Sequence, residues 1–214
     1  MMIIPNLTPN NSALLVIDVI NSCAHGEFED STRNIHYTKI RSMVPTLSNF
    51  ITSYQQLGGR VILTTTVPWQ EPYLPENINE LYRNNAVARY WSQDTSGRAE
   101  AFYEIPTDGT LIITKNSYDA FANEDLIDAL ENMHVRYVIV AGIFGDGCVM
   151  ASICGGFSRG YHLVIAKDLI ETTDDDGRQM LQQELKNITW PLMYGTTVDS
   201  QQILSALSKR TQQK

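Results

Sequence analysis

Three side chains with chemical reactivity each stand where an apolar, strand-like run of the sequence ends. Asp18 lies within ALLVIDVIN, Lys115 follows TLIIT, and Cys148 comes a few residues after YVIVAGI. In a parallel α/β sheet, ligands bind in the crevice beyond the carboxyl ends of the strands, where residues far apart in sequence meet. We therefore expect a carboxylate, an ammonium group and a thiol to share one pocket.

Cys148 stands where a strand, a glycine-bearing turn and the start of a helix follow one another in AGIFGDGCVMAS. A thiol at a helix N-terminus is surrounded by free backbone N–H groups at the positive end of the helix dipole, which favours a nucleophilic thiolate. A free cysteine is equally typical of a small core residue, so its position alone leaves both interpretations open. We interpret Cys23 and Cys154 as structural.

A carboxylate and an ammonium group beside this thiol would divide the chemistry between them. An ammonium about 4 Å from the sulfur is worth about 4 kcal/mol at an effective dielectric near 20, enough to bring a thiol pKa of about 8.5 below neutrality. Asp18 would take the thiol proton as general base and return it to a leaving amine as general acid. Taken singly, Lys115 is typical of a surface lysine and Asp18 of a cap or loop residue.

Other roles for the cysteines and carboxylates fit the spacing less well. Six residues of helix span about 9 Å, beyond the roughly 7 Å limit for bridged Cα atoms, so Cys148 and Cys154 are not expected to form a disulfide. His162, the histidine that follows the thiol, begins the next strand and so lies at the wrong end of the sheet for a base. Asp168, at the end of that strand, is interpreted as a structural loop carboxylate.

The elements that would position these residues alternate between strands and helices. Near-continuous Val, Ile and Leu runs are typical of strands covered on both faces, so the sequence predicts an α/β fold: a single-domain, doubly wound, three-layer α/β/α sandwich on a mostly parallel sheet of about six strands. The predicted strands are 13–20, 60–67, 110–116, 137–143, 162–169 and, at an edge because of Pro191, 188–196. The predicted helices are 38–57, 77–91, 123–134, one after Gly147, 176–187 and 199–209.

Length and composition limit the class of protein. The chain has 214 residues, of which 43% are hydrophobic and 19% charged, so we expect one domain over 1–214, with an irregular lid or pocket segment at about 67–105. A net charge of −8 argues against nucleic acid as a partner. The apolar runs are shorter than the ~20 residues that span a bilayer, so no membrane association is expected. Three cysteines and the absence of a signal-peptide pattern favour the cytoplasm.

Three motifs resemble the isochorismatase-like cysteine hydrolase family, which includes nicotinamidases, carbamoylsarcosine amidase and ureidoacrylate or biuret amidohydrolases. They are Asp18 in LLVIDVIN, Lys115 in ITKNSYDAF, and Cys148 in VAGIFGDGCVMAS followed by RGYHLVIAKD, and the resemblance covers residues 12 to 205. It implies an Asp18, Lys115 and Cys148 catalytic triad, a thioester intermediate and a homo-oligomer. It also implies a cis peptide between Ile143 and Phe144, with the N–H groups of Phe144 and Cys148 forming an oxyanion hole.

The sequence departs from the family pattern at several positions. Ile20 stands where glutamine is common, so that Asn21 is the candidate for the missing polar contact, and Phe144 stands where a smaller residue is usual. Residues 64–89 contain no histidine, which argues against the metal site of nicotinamidases, so neither metal nor cofactor is expected. Candidate substrate-binding residues are Asn21, Trp69, Tyr118 and Phe121.

The resulting hypothesis is a cysteine-dependent hydrolase of a C–N bond in a small-molecule amide or ureide. Two alternatives stay open at this point. One is the hydrolysis of a vinyl ether, as in isochorismatase proper, and the other is a member of the fold that binds ligands or oligomerises without turnover.

Overall fold

The computed structural model describes residues 6–84, Tyr90 and residues 96–211. Within these residues, six strands form one all-parallel sheet in the order β3-β2-β1-β4-β5-β6. The strands are β1 Ser12–Ile17, β2 Arg60–Thr66, β3 Leu111–Lys115, β4 Tyr137–Ile143, β5 His162–Glu171 and β6 Gly195–Val198. The prediction of an α/β fold with about six mostly parallel strands is confirmed.

Helices cover both faces of the sheet. They are α1 Asn21–Ala24, α2 Thr38–Gln56, α3 Glu76–Asn84, α4 Glu124–Asn132, α5 Cys148–Ser158, α6 Asp176–Glu184, α7 Trp190–Met193 and α8 Ser200–Thr211. Helices α2 and α8 bury their apolar residues against one face, and α4, α5 and α7 bury theirs against the other. Among the described residues, no helix has the length and apolar character needed to cross a bilayer.

The central strands show why the apolar runs are continuous. Every residue of β1 is buried, with Leu14 and Val16 in the core under α2 while Leu15 and Ile17 belong to the core under α5. Successive side chains of a strand point to opposite faces, so a strand covered on both sides must be apolar at every position. This buried strand leads directly to Asp18.

The order of the strands reverses between β1 and β4, and this reversal opens a crevice at their carboxyl ends. Asp18 directly follows β1, and Cys148 begins α5 after the turn that follows β4. Gly142, with φ of 117°, brings β4 so close to β1 that a β-carbon would collide with the backbone of Ile17. The fold therefore sets the carboxylate and the thiol side by side.

Two local predictions were wrong. The stretch 188–196 was predicted as a strand, but Trp190–Met193 is helical and the edge strand begins only at Gly195. Pro191 lies in this short helix, which directly continues the π-helical turn Leu185–Thr189 at the end of α6. Asp168 does not end its strand, since β5 continues to Glu171, and its carboxylate accepts hydrogen bonds from the N–H and the hydroxyl of Ser200.

The predicted helix 77–91 is present in part. Helix α3 spans Glu76–Asn84, while 85–89 and 91 lie outside the described residues. The other predicted helices are confirmed, and α2 buries seven apolar side chains at steps of three and four before the chain turns at Gly58, whose φ is 81°.

Candidate active site

Lys115 brings the three predicted reactive groups together. Its Nζ lies 2.7 Å from Asp18 Oδ2 and 3.6 Å from Cys148 Sγ, and it also donates to the carbonyl oxygen of Ser117 at 2.8 Å. Asp18, Lys115 and Cys148 are only 3%, 2% and 8% exposed. The structure thus places a carboxylate, an ammonium group and a thiol in one buried cluster at the carboxyl edge of the sheet.

The length of the lysine side chain matters because Lys115 ends a distant strand. Strand β3 is separated from β1 by β2, a distance of roughly 10 Å at normal strand spacing. The lysine side chain extends across the end of β2, and its 2.7 Å contact with the Asp18 side chain closes the remaining distance to β1. The ammonium group also lies 5.9 Å from the centre of the Trp69 ring, so that an aromatic face borders the cation.

Asp18 is held by a residue that the sequence analysis did not identify. Its backbone is in the left-handed region, with φ of 52°, a conformation that few residues other than glycine, asparagine and aspartate adopt. The hydroxyl of Thr64 donates to Asp18 Oδ1 at 2.7 Å and accepts the Asp18 backbone N–H at 3.1 Å. Thr64 is fully buried and pairs in register with Ile17. The available signal was the change from apolar residues to threonine at position 64, near the carboxyl end of β2.

The turn before the thiol presents two backbone donors. The peptide bond between Ile143 and Phe144 is cis. The carbonyl oxygen of Phe144 accepts the N–H groups of Gly147 and Val149, which closes the turn. The N–H groups of Phe144 and Cys148 have no acceptor in the part of the chain that the structure describes.

Burial and the ion pair set the protonation of the site. Burial by itself lowers the pKa of Lys115, but the Asp18 carboxylate and the Cys148 sulfur outweigh it, and the pKa lies well above its ordinary value. Burial raises the pKa of the Cys148 thiol far above its ordinary value; Lys115 opposes this rise and Asp18 adds to it. The expectation that the cation brings the thiol pKa below neutrality is corrected, because the desolvation of a buried thiolate exceeds the attraction of the ammonium. The raised thiol pKa favours a protonated Cys148 beside the Lys115–Asp18 salt bridge.

The other two cysteines are free thiols as well. Burial raises the pKa of Cys23 to about 12, and the charge of Asp18 adds to this rise. Cys154 lies within α5 and is partly exposed. The absence of a disulfide between Cys148 and Cys154 agrees with the helical spacing.

Two of the predicted pocket residues lie beside the triad. Trp69 is fully buried and stacks on Tyr118, with ring centres 5.8 Å apart and planes 17° apart. The hydroxyl of Tyr118 donates to that of Tyr82 at 3.3 Å, and the Tyr82 ring meets Trp69 edge-on. Tyr82, which the sequence analysis had assigned only to a helix, therefore joins this aromatic group next to Lys115.

The other two candidates have different positions. Phe121 is fully buried and packs against Tyr161 and Gly156 in the core under α5. The side-chain amide of Asn21 donates to the carbonyl oxygen of Arg98 at 3.0 Å. Asn21 thus ties residues 98–103 to the segment that follows Asp18.

Part of the irregular segment pairs with the chain just after Asp18. Ile20 pairs with Phe102 in an antiparallel bridge, and the N–H of Tyr103 donates to the carbonyl oxygen of Val19. These contacts hold the end of the predicted 67–105 segment against the chain just after the aspartate. Among the described residues, no group of three His, Cys, Asp or Glu side chains has an arrangement suited to a metal ion.

Comparison with known proteins agrees with this arrangement. The model of the isochorismatase domain matches residues 12–202. The secreted isochorismatase effector Isc1 of Verticillium dahliae is 24% identical over 197 residues, which cover 90% of each chain. A cysteine hydrolase from Pseudomonas syringae pv. phaseolicola 1448A superposes with a TM-score of 0.79 at 18% identity and 98% coverage of both chains. N-carbamoylsarcosine amidase from Thermoplasma acidophilum superposes with a TM-score of 0.63 at 18% identity, covering 88% of this chain and 95% of that one.

The all-parallel sheet and the buried acid, cation and thiol at its carboxyl edge define an α/β protein with a candidate active site at the ends of its strands. The chain belongs to the isochorismatase family, as the match of the domain model over nearly its whole length shows.

Proposed function

We propose that this protein hydrolyses a C–N bond in a small amide or ureide through a thioester on Cys148. The observation that carries the proposal is the position of Lys115 Nζ, within 2.7 Å of Asp18 Oδ2 and 3.6 Å of Cys148 Sγ. An ammonium held between a carboxylate and a thiol allows a proton to move from sulfur to oxygen while the charge of the buried site stays constant.

Acylation begins with that proton transfer. Asp18 accepts the thiol proton, and the new thiolate is stabilised by the Lys115 ammonium, an attraction of about 5 kcal/mol at 3.6 Å and an effective dielectric near 20. The sulfur attacks the carbonyl carbon, and the oxygen of the tetrahedral intermediate accepts the N–H groups of Phe144 and Cys148. The C–N bond then breaks as Asp18 returns its proton to the nitrogen, and the amine leaves.

Deacylation uses the same residues, with water as the nucleophile and the Cys148 sulfur as the leaving group. Asp18, again a carboxylate, takes a proton from a water molecule that attacks the thioester carbonyl. The carbon–sulfur bond breaks, the sulfur regains the proton from Asp18, and the acid product leaves. No metal or cofactor is needed in this scheme, since each proton is carried by Asp18 and each negative charge is held by Lys115 or by backbone N–H groups.

The aromatic residues next to the cation support a planar substrate group. Trp69 and Tyr118 lie beside Lys115, and flat amide or ureide groups pack well against such rings. N-carbamoylsarcosine amidase from Thermoplasma acidophilum, which has a similar fold, suggests the first compounds to test.

A homo-oligomer in the cytoplasm completes the proposal. Large apolar side chains are exposed along one short stretch of the chain, and monomeric proteins rarely expose such groups together. The exposed side chains are Met180, Leu181, Ile188, Leu192 and Met193. A second copy of this chain is the proposed partner for that surface.

The three free cysteines support a reducing compartment, although a relative is described as secreted, and fractionation of the producing cells tests this location.

Intact-protein mass spectrometry tests the reaction. The wild-type protein is mixed with N-carbamoylsarcosine, biuret or nicotinamide, and an acyl adduct is expected on the peptide that contains Cys148. The Cys148→Ala variant should form no adduct and release no amine. Turnover at the wild-type rate by this variant would falsify the covalent mechanism, and turnover of a vinyl ether alone would identify the isochorismatase-type reaction. Ligand binding without turnover by the wild-type protein would indicate a non-catalytic member of the fold.

A further inference from the structure

The turn that carries the oxyanion donors is anchored to α6 by an arginine. Arg178 Nε donates to Asp146 Oδ2 at 2.7 Å and Nη2 donates to Oδ1 at 2.8 Å, while the hydroxyl of Thr172 donates to the same Oδ1 at 2.6 Å. Two parallel bonds between a guanidinium and a carboxylate fix both distance and orientation. Asp146 lies two residues before the thiol, and its side chain is only 7% exposed.

The same arginine contacts the other side chain of the turn. Its guanidinium carbon lies 5.0 Å from the centre of the Phe144 ring, which also stacks with Tyr37 at a ring-centre distance of 6.1 Å. Phe144 and Asp146 are the two residues of the 144–147 turn that are not glycine. Arg178 thus touches both side chains that are available to hold this turn.

The turn needs such an anchor because of its composition. Gly145 and Gly147 have wide backbone freedom. Their N–H groups donate to the carbonyl oxygens of Glu171 and Phe144, and the bonds of the Asp146 side chain add a further restraint on the turn. Arg178 itself is placed by the start of α6, where its N–H donates to the carboxylate of Asp175 at 2.9 Å. Burial by itself raises the pKa of Asp146. The hydrogen bonds from Arg178 and Thr172 outweigh this effect and lower the pKa, so the carboxylate that holds the turn is ionised.

From these contacts we infer that Arg178 is a positioning residue for the reaction: through Asp146 and Phe144 it orients the N–H groups of Phe144 and Cys148 toward the developing oxyanion. The inference rests on the proposed function. A misplacement of about 1 Å at a reacting centre lowers rates by about 100-fold, and the loss of one oxyanion donor lowers kcat by about 100- to 1000-fold.

Steady-state kinetics of Arg178→Ala and Arg178→Lys test this role. We expect kcat to fall about 100-fold in Arg178→Ala with KM changed less than about 3-fold, and a smaller fall in Arg178→Lys, which keeps the charge but not the paired bonds. In the double variant with Asp146→Asn and Arg178→Ala, kcat should fall no further than in the worse single variant, because both changes release the same turn. Millimolar guanidinium should restore part of the kcat of Arg178→Ala. The matched control is Arg33→Ala, since Arg33 is also 36% exposed and pairs with Asp30 away from the turn.

Hydrogen exchange of the peptide that spans 143–149 gives a readout that needs no substrate. Arg178→Ala should increase the exchange of this peptide, whereas Arg33→Ala should not. Unchanged exchange, a wild-type kcat in Arg178→Ala, or a loss of thermal stability without any guanidinium rescue of kcat would each overturn the inference. A different result would overturn the proposed function: a wild-type protein whose 143–149 peptide is protected from exchange but which forms no thioester on Cys148.

Discussion

Thr64 holds Asp18 from the neighbouring strand, with its hydroxyl 2.7 Å from Asp18 Oδ1 and 3.1 Å from the Asp18 backbone nitrogen. The other carboxylate oxygen faces Lys115. The proposed base is therefore fixed on both sides, and its rotamer is set before a substrate binds.

Replacement of Thr64 by valine should slow the reaction without changing the packing around Asp18. Valine has nearly the same shape but lacks the hydroxyl, so we expect kcat to fall at least about 10-fold and the free energy of unfolding to fall by about 2 kcal/mol, since a buried charged group loses a hydrogen bond. Thr64→Ser should stay within about 3-fold of the wild-type kcat. Thr65→Val is the control, because its hydroxyl binds the carbonyl oxygen of Glu100 instead. Equal losses in both valine variants would contradict the role given to Thr64.

Replacement of Asp18 by asparagine should separate thiol reactivity from turnover. The Asp18 charge helps to raise the pKa of Cys148, so its removal leaves Lys115 free to stabilise the thiolate and lowers that pKa. Cys148 should then react faster with iodoacetamide near pH 7 while amide hydrolysis is lost. Peptide mass spectrometry over time measures both, and Cys154, partly exposed in the same molecule, serves as the internal reference. Slower alkylation of Cys148 in the variant would argue against this electrostatic assignment.

The stability contributed by Asp146 should depend on pH. Its folded pKa is lowered from the ordinary value of 3.8, so its contribution is fully present above the unfolded pKa and is lost as pH falls through the folded pKa. Asp146→Asn should therefore reduce the free energy of unfolding by about 2 kcal/mol at pH 7. The difference from the wild-type protein should shrink below about pH 4. Denaturant unfolding at pH 7, 5 and 3 checks the sign, and a difference that grows toward acid pH would be incompatible with it.

A charge introduced at Leu192 should disrupt the proposed assembly. Leu192 is 78% exposed, so Leu192→Asp should leave the fold intact while it prevents a second copy from covering the surface around α7. Size exclusion with light scattering should give an oligomer for the wild-type protein and a single chain for the variant. Ile112→Asp, at a 48% exposed position on the edge strand, is the control. A wild-type protein that elutes as one chain would end the proposal of a homo-oligomer.

Much of the fold could be predicted because the spacing of apolar residues and the helix caps indicate secondary structure locally. The apolar residues of α2 recur at steps of three and four, and Asn123 caps α4 by accepting the N–H groups of Asp125 and Leu126. Pro191 misled the prediction, since it suggested a sheet edge, whereas the chain continues from α6 through the π-helical turn Leu185–Thr189 into α7. Trp190, fully buried beside it, belongs to the core under α5.

The sequence by itself determined which strand ends carry an acid, a cation and a thiol, because the carboxyl ends of parallel strands share one edge of the sheet. Only the tertiary structure decided how these groups are charged and held. Burial, which depends on neighbours far along the chain, raises the pKa of the Cys148 thiol, and Thr64 and Arg178 form hydrogen bonds with residues 46 and 32 positions away in sequence. Desolvation and long-range hydrogen bonds have no local signature, so they appear only when the chain is folded.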